Sequence, residues 1–150
     1  MRIPLALIFA MAAAAFPLQA QSNTAVDELL GQEKAQVGSA AYMTLNAGGL
    51  IGEDATPGDA LAALVSKGWI AAERPVDSPI LLDEYCVLVM RSLGLKGGLM
   101  YTLFPGRRYG YRELVARGIV NASGGPRRTL AGDEAIRILR LALDLKGGTQ

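Results

Sequence analysis

Residues 68–98 and 118–148 align without a gap at a spacing of fifty, and this internal repeat constrains the fold more than any other feature of the chain. Gly68 falls on Gly118, Ala72 on Ala122, and Asp83-Glu84 on Asp133-Glu134. Leu93 and Leu95 fall on Leu143 and Leu145, and Lys96-Gly97-Gly98 on Lys146-Gly147-Gly148. Upstream, Leu64-Val65 pairs with Leu114-Val115 and Lys67 with Arg117. A period of this length marks supersecondary units that stack on one another, because one unit has too little apolar surface to fold alone. Whatever conformation one copy adopts, the other must tolerate.

Each copy holds two helical patterns. In the first, Thr56-Pro57-Gly58-Asp59 supplies a capping threonine, a proline at the first helical position and an acid three residues after the cap. Leu61, Leu64 and Val65 then share one face, and Gly68 ends the helix. The second copy runs through Tyr111, Leu114 and Val115 to Gly118, a helix over about 109–117. Tyr85-Cys86-Val87-Leu88-Val89-Met90 reads as a strand by composition. Its counterpart decides otherwise: Ile136, Leu139 and Leu143 fall on one helical face, with Arg137 and Arg140 off it. Residues 80–95 are therefore expected to form a helix, apolar on all sides and central. A fainter third copy is expected at the same offset, with Leu30, Met43, Leu45 and Gly48 under Ile80, Leu93, Leu95 and Gly98. Residues 24–47 read as one long helix capped by Asn23 or Thr24. The expectation is an all-α fold: a small bundle of two helix-loop-helix repeats, 56–98 and 108–148, behind an N-terminal helix, making a single domain over 24–150.

The N-terminus has the parts of a secretory signal: Arg2, an apolar run over 3–16, and small Ala20 before the expected cut. The run is shorter than the roughly 20 residues that span a bilayer, so cleavage is expected rather than anchoring. No other segment is long and apolar enough to span a membrane. An exported, periplasmic or envelope-associated protein follows. Loss of Arg2 lowers the 15 basic residues to 14, equal to the 14 acids. A neutral chain has no general attraction for nucleic acid or for an anionic membrane. Cys86 is the only cysteine, so no internal disulfide forms. Its apolar neighbours make it a buried small residue, the alternative being a reactive or dimer-forming thiol.

The short helix ending in Gly118-Ile119-Val120, the Gly124-Gly125-Pro126 loop, Thr129-Leu130, and a helix with Asp133-Glu134 and Leu143-Asp144-Leu145 together resemble a surface-layer homology (SLH) repeat. The first copy is similar, with Gly68-Trp69-Ile70, Pro79-Ile80, Asp83-Glu84 and Leu93-Gly94-Leu95. The segment 101–106 is similar to the opening of such repeats, and the likeness covers about 56–148. It implies a helical bundle of repeats, commonly three, that docks exported proteins onto cell-wall polysaccharide. The family's Thr-Arg-Ala-Glu signature places its glutamate on Glu84 and Glu134. Its polymer-contacting arginine falls on Leu82 and Gly132, and its threonine on Leu81 and Ala131. The Asp and Trp that begin the family repeat have no clear counterparts.

The chain has no histidine, the commonest general base and metal ligand. One cysteine cannot build a thiolate metal cluster, and no phosphate-cradling glycine loop follows a strand. Asp83-Glu84 and Asp133-Glu134, at the start of helices, are read as dipole-favoured acids rather than a catalytic pair. No enzymatic activity, cofactor or metal is expected. Arg107, Arg108, Arg127 and Arg128, with Tyr109 beside the first pair, are the candidate ligand-binding residues, and Tyr111 adds a second flat ring there. Forked guanidiniums next to an aromatic ring suit an anionic glycan, and the plain alternative is solvated loop charge. Trp69 is read as a core anchor. The function expected is a non-catalytic envelope binding or scaffold module, with cell-wall glycan as partner. The alternatives are a protein-protein interaction subunit, using the 85–90 face or Leu99-Met100-Tyr101, and an enzyme of unknown type.

Overall fold

The computed structural model describes residues 17–148 except residue 73. Its helices are α1 (Pro17–Leu30), α2 (Val37–Ala47), α3 (Pro57–Ser66), α4 (Leu82–Ser92), α5 (Leu99–Leu103), α6 (Arg107–Ala116) and α7 (Gly132–Gly147). The fold is all-α. Isolated bridges, Gln36 with Pro79 and Leu81 with Thr129, are the sole β pairings among the described residues. The proposed signal segment lies outside the described residues up to residue 16, and the expected cut after Ala20 falls inside α1.

Local sequence accounts for most of the helix ends. At α3, Thr56 Oγ1 accepts from the Asp59 backbone N–H at 3.1 Å, and the Thr56 N–H donates back to the Asp59 carboxylate at 2.9 Å. This is the reciprocal cap that Thr56 and Asp59 foretell. The far ends of α3 and α6 reach Gly68 and Gly118, with φ of 66° and 70°. The next N–H closes back on the helix in each case, Trp69 to the Leu64 carbonyl and Ile119 to Leu114, both at about 3 Å. The two copies therefore end alike, as their alignment requires. The same closure ends α2 at Gly49 and α4 at Gly94.

A third unit is present, in a register other than the expected one. Helix α2 begins at 37, α4 at 82 and α7 at 132, so the offsets are 45 and then 50 residues. The extra five residues are α5, inserted between α4 and α6. The stretch 24–47 is also not one helix: it breaks at Gly31, and residues 32–36 form a non-helical connection between α1 and α2. Neither Asn23 nor Thr24 is a cap, since α1 starts at Pro17. The break has a cause outside the segment. Its backbone groups bond to other units: the Ala35 N–H donates to the Leu130 carbonyl at 2.8 Å, and the Ile80 N–H to the Ala35 carbonyl at 2.9 Å. The Gln32 side chain accepts from the Gln36 N–H at 2.8 Å and helps launch α2.

These bonds form part of a cycle. The first N–H of each central helix donates to the extended segment ahead of another: Val37 to the Ser78 carbonyl, Leu82 to Arg128, and Gly132 to Gln32, all at 2.8–2.9 Å. Ala35, Ile80 and Leu130, one from each segment, are completely buried. Packing follows the same order, with α2 against α3, α4 against α6, and α7 against α1. The described residues thus make a closed, pseudo-threefold arrangement in which α7 packs on α1. Helix α4 is its most enclosed element, with residues 85–90 all buried. The apolar 85–90 face expected as a possible partner contact is therefore core, filled by the neighbouring repeats.

Candidate functional site

Helix α6 starts at Arg107, two residues earlier than the sequence implies, and this resets which side chains share a face. At 3.6 residues per turn, Arg107 and Tyr111 align, as do Arg108 and Arg112, while Tyr109 lies roughly 200° from Arg107. Tyr109 accordingly leaves the proposed site and packs beside Phe104, ring centroids 6.2 Å apart. Tyr111, the other ring expected beside the first arginine pair, stays on the Arg107 face.

The loop after α6 folds back, as its Gly124-Gly125-Pro126 sequence permits, and the Asp83 N–H bonds to the Pro126 carbonyl at 2.9 Å. A cleft of about 420 Å³ results, lined by Asp83, Arg107, Arg108, Tyr111, Arg112 and Arg127, with Pro126 at its edge. Three of the four proposed arginines therefore meet. They are not equivalent. Arg107 reaches the nearly buried Asp83 at 2.6 Å and Glu84 at 3.1 Å, which fixes it at the cleft wall. Its Nε is buried and has no partner in the protein. Arg108, Arg112 and Arg127 are exposed, and no hydrogen bond or ion pair engages their side chains among the described residues. The lining carries four guanidiniums and a single carboxylate, so its charge is strongly positive.

Arg128 does not join them. Its guanidinium takes Glu134 as a two-pronged pair at 2.6 and 2.7 Å and also reaches the Ser123 and Thr129 carbonyls, each at 3.2 Å. The Glu134 hydrogen bonds hold its proton more tightly than usual. Arg128 is a clasp that holds the 121–129 loop to the first turn of α7. Arg74 performs the same task one repeat earlier: it pairs with Glu84 at 2.7 Å and bonds Ser78 Oγ at 3.0 Å and the Pro79 carbonyl. Sequence could have paired Arg128 with Glu134, six residues on; Arg74 has no counterpart at the fifty-residue offset and gave no signal.

The SLH signature positions are likewise structural. Leu82 is wholly buried, and a Cβ at Gly132 would stand 1.6 Å from the Leu29 carbonyl oxygen. In the third unit the position is Val37, also buried. No arginine occupies this position in any unit. Glu84 and Glu134 are consumed by the clasps. Trp69 is half-buried between two cations, Lys67 and Arg91, each 5.6 Å from its ring. Among the described residues no cluster of His, Cys, Asp and Glu could hold a metal, and no helix is long and apolar enough to cross a membrane.

Comparison of the chain with protein-family models, with curated proteins and with solved structures finds no match.

Proposed function

We propose that the protein is an exported, non-catalytic binding module of the cell envelope, and that its ligand is an anionic cell-wall glycan held in the Arg107–Tyr111 cleft. The observation that carries this reading is the meeting of unpaired Arg108, Arg112 and Arg127 with the unpartnered Nε–H of Arg107 beside the Tyr111 ring. Forked donors there suit carboxylate or phosphate groups, and a flat ring suits a sugar face. The pseudo-threefold fold fits the SLH resemblance, whose repeats commonly occur in threes. The binding chemistry proposed here is not that family's, because its arginine position is core in all three units. The cleft lies where one repeat's helix start meets the loop of the next.

Binding of the purified protein to wall polysaccharide bearing acidic groups tests the proposal. Arg108→Gln with Arg127→Gln should weaken it at least tenfold, since hydrogen bonds to charged groups contribute roughly 1.5–3 kcal/mol each. Raised salt should act in the same direction. A double variant that binds as well as the parent at low salt would sink the reading.

A further inference from the structure

The five residues that make the second interval longer than the first are an insertion that the repeat does not need. They form α5, and with the Phe104 that follows they place large apolar side chains outside the core: Leu99 is 73% exposed, Leu103 59%, Phe104 58% and Met100 48%. Tyr101 alone turns inward. The group is the densest collection of exposed large apolar residues in the described chain. It is also firmly held. The Gly98 N–H, at the start of α5, donates to the Glu113 carboxylate at 3.0 Å, and Arg117 bonds both that carboxylate and the Lys96 carbonyl.

The charge around it is one-sided. From residue 85 to 112 the sequence holds five basic residues and no acid. Lys96 and Arg108 are exposed, and Arg112 lines a depression with Leu99 and Met100. Glu113, the nearest acid on α6, is already engaged by Arg117 at 2.7 Å. Four apolar side chains on a six-residue segment present on the order of a few hundred Å², well below the roughly 1,000 Å² of a stable protein interface. Two copies meeting through this face would also bring their basic rims together. A bilayer imposes neither limit: a few apolar side chains enter the headgroup boundary, and each flanking cation adds roughly 1 kcal/mol at an anionic surface.

We propose that α5 and the Phe104 that follows it are a membrane-surface anchor, in which Leu99, Met100, Leu103 and Phe104 enter the interface of an anionic bilayer and Lys96 engages its headgroups. Arg112 borders both this face and the polysaccharide cleft, and the substitutions that test this face leave it in place, so the two proposals fail independently.

The test is sedimentation of the protein with vesicles of phosphatidylglycerol and phosphatidylcholine, and with vesicles of phosphatidylcholine alone. Binding is expected to the first and not to the second, and to be released by salt. Leu99→Ser with Leu103→Ser and Phe104→Ser should reduce it at least tenfold while leaving the helical circular dichroism and polysaccharide binding unchanged. Lys96→Gln should reduce it about fivefold, as one surface charge implies. Three results would overturn the proposal: no binding to phosphatidylglycerol vesicles, undiminished binding by the serine variant, or a dimer by light scattering that the serine substitutions dissolve.

Discussion

Tyr85 and Cys86 stand side by side in α4 with no exposed surface, and burial pushes both their protons far above the usual range. Tyr85 is satisfied by the Ala135 carbonyl at 2.8 Å, and Ala135 is its own repeat-mate fifty residues on. The position is alanine in the other two units, Ala40 and Ala135, so a single aromatic ring fills the middle of the three. Cys86 is held as a neutral thiol, since desolvation disfavours the thiolate, and Asp83 and Glu134 nearby add to the effect. A water-soluble disulfide reagent should therefore leave the native protein untouched and titrate one thiol in denaturant. The native rate should be slower by on the order of 10³ or more, because reaction requires the core to open. Rapid modification of the folded protein would show that α4 is not the enclosed helix described.

At the level of elements, the tether of α5 depends on Glu113. Its carboxylate proton affinity is lowered first by the Gly98 N–H and then by Arg117. A carboxylate depressed in the folded state stabilises it above its unfolded pKa, near 4.3, and that contribution disappears as pH falls through the lower folded value. Acid should thus loosen α5 from α6. Glu113→Gln should cost about 1 kcal/mol at neutral pH, after allowance for its partial exposure, and should flatten the acid side of the stability profile. Chemical denaturation at neutral and acid pH measures both, and an unchanged profile would remove Glu113 from the tether. Elements were legible in the sequence wherever their determinants were local. The Thr56 cap, the stops at Gly68 and Gly118 and the buried character of α4 all rest on neighbouring residues or on the repeat. The break at 32–36 was not legible, because those residues bond to segments 45 and about 95 positions away. The start of α6 was missed by two residues, which was enough to leave Tyr111 in the cleft and take Tyr109 out of it. Arg128 was misread because its partner lies in the next helix.

At the scale of the whole molecule, electrical neutrality conceals a division. Residues 21–66 contain six acids and one lysine, whereas 85–112 contain five bases and no acid. Glu28, Glu53 and Asp54 line one cleft with Tyr42, and their basic counterparts surround α5 and the α6 cleft. The expectation that a neutral chain ignores anionic surfaces therefore does not extend to its parts. Closure of the pseudo-threefold arrangement rests on α7 meeting α1, where the chain passes so near that Gly132 has no room for a side chain. Gly132→Ala should destabilise by at least about 2–3 kcal/mol, far beyond the ordinary effect of this substitution in a helix. Denaturant unfolding measures the loss, and cleavage by a protease should begin in α1. An alanine variant as stable as the parent would mean that the two ends are not pressed together.

That closing contact joins α1 to α7. On the proposed export, α1 would emerge from a secretion channel long before α7 and would wait without its neighbour until translocation ended. The arrangement would then stay unfinished, and so transportable, for as long as the chain was in transit. Removal of the proposed leader after Ala20 would then trim α1 to residues 21–30, ten residues, the length of α3 and of α6. Processing and folding would meet in the same helix.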